Sequence, residues 1–163
     1  MGYVRSSNAL VLIGAVLMLG QTSNAFAADK VRISGLQTAN FGQLAGTGDR
    51  SISQNLCAYS SSVTGGYSVT ATGTGSGGAF SLTSSIATIS YEVLWADTSG
   101  QNSGTSLIAG TPIGGFTSNA TQHFCNSGPT SSASMTIVIR SATIQSARAG
   151  TYSGTLQIMI VPE

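Results

Sequence analysis

The stretch Ile89-Ser90-Tyr91-Glu92-Val93-Leu94-Trp95-Ala96 alternates two kinds of position: Ile89, Tyr91, Val93 and Trp95 against Ser90, Glu92, Leu94 and Ala96. A period of two is the pitch of a β-strand with one face turned to a core. The same period recurs on both sides of it. Tyr67, Val69 and Ala71 alternate with Ser68, Thr70 and Thr72, and Met135, Ile137 and Ile139 with Ser134, Thr136, Val138 and Arg140. In the last segment, Tyr152 to Val161, Tyr152, Leu156, Ile158 and Ile160 share a face opposite Ser153, Thr155 and Gln157. Weaker strand candidates are Val31 to Phe41, Ser51 to Tyr59 and Ala79 to Thr83. Turn clusters separate them, among them Gly46 to Asp49, Gly73 to Gly78, Asp97 to Gly104 and Asn126 to Pro129. About seven short strands at roughly ten-residue spacing predict an all-β antiparallel sandwich. The pattern contains no internal repeat, linker or second domain.

Composition agrees. Of 163 residues, 45 are Ser or Thr and 21 are Gly, types that form helices poorly. Six basic and five acidic side chains, scattered singly, leave a net charge of +1 and no electrostatic footprint for nucleic acid. Hydrophobic residues at 41% exclude disorder of the highly charged, weakly apolar kind.

Residues 1–27 read as a secretory signal peptide. Arg5 supplies the positive start, Ala9 to Leu19 an apolar run, and Ala25-Phe26-Ala27 a small-x-small cleavage site. The run is nearer 11 residues than the roughly 20 that a bilayer-spanning helix requires. No second stretch of membrane length follows, so the exported chain, 28–163, carries no integral membrane segment. Cys57 and Cys125 are its only cysteines, and two cysteines in an oxidising compartment pair. Closing that loop stabilises the fold by about 4 kcal/mol in the chain-entropy account.

Catalytic and cofactor signals are weak. Gly73, Gly75 and Gly78 match the letter of G-x-G-x-x-G, but a strand pattern rather than a helix follows, so a turn is expected. His123 with Asp97 or Asp49 could be drawn into a triad, yet there is no G-x-S-x-G elbow to present a serine. Carboxylates suited to glycoside hydrolysis, Asp29, Asp49, Glu92 and Asp97, sit singly. His123 adds only one ligand to the cysteines, and Asn119-Ala120-Thr121 is a glycosylation sequon. The expectation is a protein that is not an enzyme and holds no metal or cofactor. Trp95 and the tyrosines could instead form a sugar-stacking platform, which gives a carbohydrate-binding module as the alternative, although their alternation points to the core.

Leu36-Gln37-Thr38-Ala39-Asn40-Phe41-Gly42, then Ile52 to Cys57, then Gly66-Tyr67-Ser68-Val69-Thr70 resembles the spore coat protein U domain family, found in subunits of archaic chaperone–usher pili. The closing Ala149-Gly150-Thr151-Tyr152-Ser153-Gly154-Thr155-Leu156 is similar to that family's C-terminal signature. The resemblance implies an immunoglobulin-like sandwich lacking its last strand. Its partners would be a periplasmic chaperone, an outer-membrane usher and neighbouring pilin subunits, one of which donates the missing strand. It places the chain in the periplasm in transit and then at the cell surface. Leu156, Ile158 and Ile160, with Tyr152, are expected to line the groove for that strand. Two departures stand out. Family members typically carry a cysteine before the Phe-Gly, whereas Val31 to Gly42 has none and only Cys57 matches. Ahead of the first strand stand only Ala28-Asp29-Lys30, about 10 Å at full stretch and too short to complete a neighbour's sheet. The expectation is therefore a subunit that accepts a strand but cannot donate one, as at a pilus tip, or a related coat protein that does not polymerise this way. If the signal-peptide reading holds, intact-mass analysis of the exported protein finds Ala28 at the N-terminus; an uncleaved chain contradicts it.

Overall fold

Residues 29–44 and 46–163 are described by a computed structural model; the expected signal peptide, 1–27, lies outside the described residues. The strands are β1 (Val31–Ser34), β2 (Arg50–Ser60), β3 (Gly66–Thr72), β4 (Ser81–Thr83), β5 (Thr88–Ser90), β6 (Glu92–Ala96), β7 (Thr105–Ser106), β8 (Ile113–Thr117), β9 (Ala133–Ile139) and β10 (Gln157–Pro162). One short helix, α1 (Ser141–Ser146), follows β9. All pairings are antiparallel. A five-stranded sheet in the order β1-β2-β9-β6-β7 faces a three-stranded sheet in the order β10-β3-β8, and β4 and β5 form a small separate hairpin.

The period-two residues build the core between the two sheets. Tyr67, Val69 and Ala71 of β3 pack against Leu56 and Ala58 of β2, Val93 and Trp95 of β6, and the Met135–Ile139 face of β9. The Trp95 indole N–H donates to the Tyr67 hydroxyl at 3.2 Å, and Phe116 of β8 lies against both rings. Cys57 and Cys125 form a disulfide with Cα atoms 5.8 Å apart, fastening the long 118–132 loop to β2.

Several local readings change. The Ile89–Ala96 stretch is two strands, with β5 in the small hairpin and β6 in the large sheet, because Tyr91 N–H turns aside to the Phe80 carbonyl at 3.0 Å. β9 is buried on both faces, not one. It lies between β2 and β6, and the Asp97–Gly104 loop folds over its outer side. There the Ser134 hydroxyl donates to the Thr98 carbonyl (2.9 Å) and accepts from Gln101 N–H (3.0 Å), while Thr136 pairs with Ser53 (2.8 Å). Buried hydroxyls persist when they are satisfied in this way. The expected Val31–Phe41 strand stops at Ser34, where Gly35 takes a left-handed φ of +86°. The final strand starts at Gln157 rather than Tyr152. Gly73 to Gly78 is the expected turn: Gly73 N–H donates to the Gly78 carbonyl (2.7 Å), and a Cβ at Gly73 would collide with the Ala79 carbonyl.

Charge serves as a tie. The Arg140 guanidinium bridges Asp49 (2.9 Å) and Glu92, joining the approach to β2, the start of β6 and the end of β9. Asp49 also accepts the Ser141 N–H at 2.8 Å, capping α1. That backbone donor, with Arg140, holds the Asp49 carboxyl below its ordinary value, and Arg140 does the same to Glu92. Burial pushes the Tyr67 hydroxyl up to about 12. A raised folded-state value contributes stability that is complete below the unfolded value near 10 and lost as pH climbs through the folded one. The protein should therefore lose about 3 kcal/mol between roughly pH 10 and 12. Urea unfolding across that range checks this, and Tyr67→Phe should flatten the decline.

Candidate functional site

The two sheets are not closed equally at their sides. Residues 107–112 join the edges β7 and β8, whereas β1 and β10, the other two edges, lie near each other without pairing. On this open side a cleft of about 1070 Å³ runs down to the core. Tyr91, Met135, Ile137 and Ile144 form its floor. One wall is Ala147 to Leu156 leading into Ile158 of β10; the other is the segment Leu36 to Leu44 that follows β1. Burial in this floor pushes the Tyr91 hydroxyl above its ordinary value.

The walls differ in how they are held. The Ser153 and Thr83 main chains exchange N–H···O bonds at 2.8 and 3.1 Å, and the Tyr152 hydroxyl donates to the Arg148 carbonyl at 2.9 Å. The first wall is thus fixed to the β4–β5 hairpin. Among the described residues, the hydrogen bonds that tie the second to the sheet come from one side chain: Gln54 accepts from Gln37 N–H and donates to the Gln37 carbonyl, both at 2.9 Å.

The edge of β10 has a definite polarity. Glu163 N–H donates to the Gly66 carbonyl at 3.0 Å, and the register with β3 puts Gln157, Met159 and Val161 in phase with that bond. In an antiparallel ladder alternate residues turn their main-chain groups to opposite sides. The N–H and C=O of Ile158 and Ile160 therefore face the open edge, and Pro162, which has no N–H to offer, falls in the same phase. Among the described residues no strand pairs with this edge. An extended chain entering the cleft can bond to Ile158 and Ile160 and drop alternate side chains onto the floor.

Of the residues expected to line a partner-strand groove, Tyr152, Leu156 and Ile158 line this cleft. Ile160 does not. Its side chain is only 8% exposed and lies in the core, so it contributes its backbone to the edge and its side chain to the sandwich. Sequence reading missed the floor residues Met135, Ile137 and Tyr91, whose alternation marks an apolar face without saying that it borders a cleft. It also missed the wall from Leu36 to Leu44, whose polar residues mask the inward Ala39 and Phe41.

Other candidates are engaged elsewhere. Trp95 is fully buried and cannot stack on a sugar. Asp97 accepts from Thr117 N–H (3.0 Å) and hydroxyl (3.2 Å), Asp49 serves Arg140 and Ser141, and His123 lies against Phe124 and the edge of Tyr59. Among the described residues no group of three or more His, Cys, Asp or Glu side chains could hold a metal, and no helix is long and apolar enough to cross a membrane.

Comparison with known proteins gives the architecture a setting. No protein-family model matches the chain, and no curated protein does. A chain of a solved chaperone–tip adhesin complex, described as vital for synergistic activation of CFA/I fimbriae biogenesis, is similar over 82% of this chain at 17% identity and a TM-score of 0.55. This chain spans 41% of that one. The likeness shows the fold. It is an immunoglobulin-like antiparallel β fold, shared with a component of a fimbrial complex.

The two faces of β10 should respond differently to truncation. Ile160→Ala removes a core side chain and should cost about 2–4 kcal/mol, while Met159→Ala, 57% exposed on the opposite face, should stay within about 0.5 kcal/mol. Urea denaturation midpoints measure both; equal losses would mean that the face assignment is reversed.

Proposed function

We propose that this protein is an exported structural subunit of a chaperone–usher pilus or related surface coat, of the spore coat protein U type, and that its cleft accepts a strand from a partner. The observation that carries the reading is the unpaired edge of β10 above an apolar floor. An edge strand with free N–H and C=O groups is a template for another chain, and strand addition joins main-chain bonds to side-chain pockets at alternate positions. The architectural likeness to a chain of a fimbrial chaperone–adhesin complex supports the same class. So does the disulfide, which belongs to oxidising compartments.

On this reading a periplasmic chaperone covers the cleft first, an outer-membrane usher receives the subunit, and a neighbouring subunit supplies the lasting strand. The chain's work is mechanical rather than catalytic. A strand with apolar residues at every second position adds three or so buried side chains, each contributing about 1.5–3 kcal/mol before the ordering cost.

Fusing such a strand after Glu163 through a short flexible linker should raise the melting temperature by roughly 10 °C and reduce aggregation. If fused and unfused proteins melt together as equally soluble monomers, the sandwich is already complete and the strand-acceptor reading fails.

A further inference from the structure

The segment that walls the cleft on the β1 side is built unlike the rest of the fold. It begins at Gly35 with φ +86° and turns again at Gly42 with φ +61°, a left-handed conformation that glycine adopts without strain. Between them, among the described residues, no sheet ladder forms. The anchors are the local bond from Gly42 N–H to the Asn40 side chain and the paired bonds between Gln37 and Gln54. Ala39, Phe41 and Leu44 rest half-buried against the core, and Leu36 is 42% exposed. Ala39 and Phe41 stand two apart, the spacing at which a strand lays successive side chains on one surface.

Gln54 is the unusual residue. It stands on β2 in phase with Leu56 and Ala58, the inward face, where the pattern calls for an apolar side chain. A buried-side amide is tolerated when its donor and acceptor are both satisfied, and here both go to the main chain of Gln37.

We propose that Gly35 to Leu44 is a displaceable strap, latched by Gln54 through Gln37, that covers the apolar floor until a partner strand enters. The proposal rests on the strand-acceptor reading and adds to it the wall that moves. Ala39 and Phe41 occupy floor space that an incoming strand's side chains require, so the strap competes with the partner and shields the cleft in its absence. The opposite wall, bonded to β4 through Thr83 and Ser153, stays in place.

Chymotrypsin provides the test, because cleavage after Phe41 requires the strap to leave the floor. Gln54→Ala removes both latch bonds and should speed that cleavage about tenfold, with Gln54→Glu, which keeps the acceptor and loses the donor, in between. A synthetic nine-residue peptide alternating Val and Thr, followed by fluorescence anisotropy, should associate faster with Gln54→Ala by a similar factor. Unchanged cleavage would overturn the latch. Faster cleavage with an unchanged association rate would overturn the strap's competition with the partner. If cleavage is faster but the peptide binds neither protein, the strand-acceptor reading has failed and the strap's role falls with it, whereas the latch itself stands.

Discussion

Every strand in a sheet must settle two rows of main-chain donors and acceptors, and β10 has a neighbour for only one of them. Its inner row bonds to β3; its outer row, from Ile158 and Ile160, opens toward β1. Water satisfies such groups at little cost. What water does poorly is fill the apolar cleft beside them, which reaches down to the core side chains of Tyr91, Met135 and Ile137. A single extended chain would meet both needs at once. The disulfide, the Arg140 tie and the Trp95–Tyr67–Phe116 cluster can be understood as holding the remainder of a small sandwich together around that gap.

The division of labour within β10 follows. The Ile160 side chain packs into the core while its main chain faces the open edge, so the strand stays docked on β3 when nothing fills the cleft. The Glu163 carboxylate reinforces this end by accepting the Gly115 N–H at 3.0 Å, and Gly114 leaves the room that this side chain fills. Ile158, nearer the first turn of the strand, faces the cleft. One strand thus carries a side chain for the core and another for the cleft, with the main-chain groups of both on the open edge.

Much of this was legible from alternation alone. Tyr67 to Ala71, Val93 with Trp95, and Met135 to Ile139 announced the core, and two cysteines in a chain read as exported announced the staple. The rest depended on contacts that no local window contains. α1 is capped by Asp49, 92 positions before the Ser141 N–H it accepts. β8 is hidden in Ile-Gly-Gly-Phe-Thr, whose glycines answer to Glu163. The outer face of β9 is buried because a loop whose contacting residues lie 33 and 36 positions before Ser134 folds over it, and its polar letters concealed that. The part of the cleft wall from Leu36 to Phe41 was read as a continuing strand because the left-handed turn at Gly35 cannot be told from an ordinary glycine. Propensity decides where a strand is possible, and packing decides whether the chain uses it.

The central claim is that β10 presents a free main-chain edge which another strand occupies in the assembled state. Residue-resolved amide hydrogen exchange measures this directly. In the isolated protein, Ile158 and Ile160 amides should exchange far faster than those of Met159 and Val161, which bond to β3, and they should become protected once a partner strand is bound. Equal protection of all four amides in the isolated protein, or no gain at Ile158 and Ile160 in the assembled one, would contradict the account.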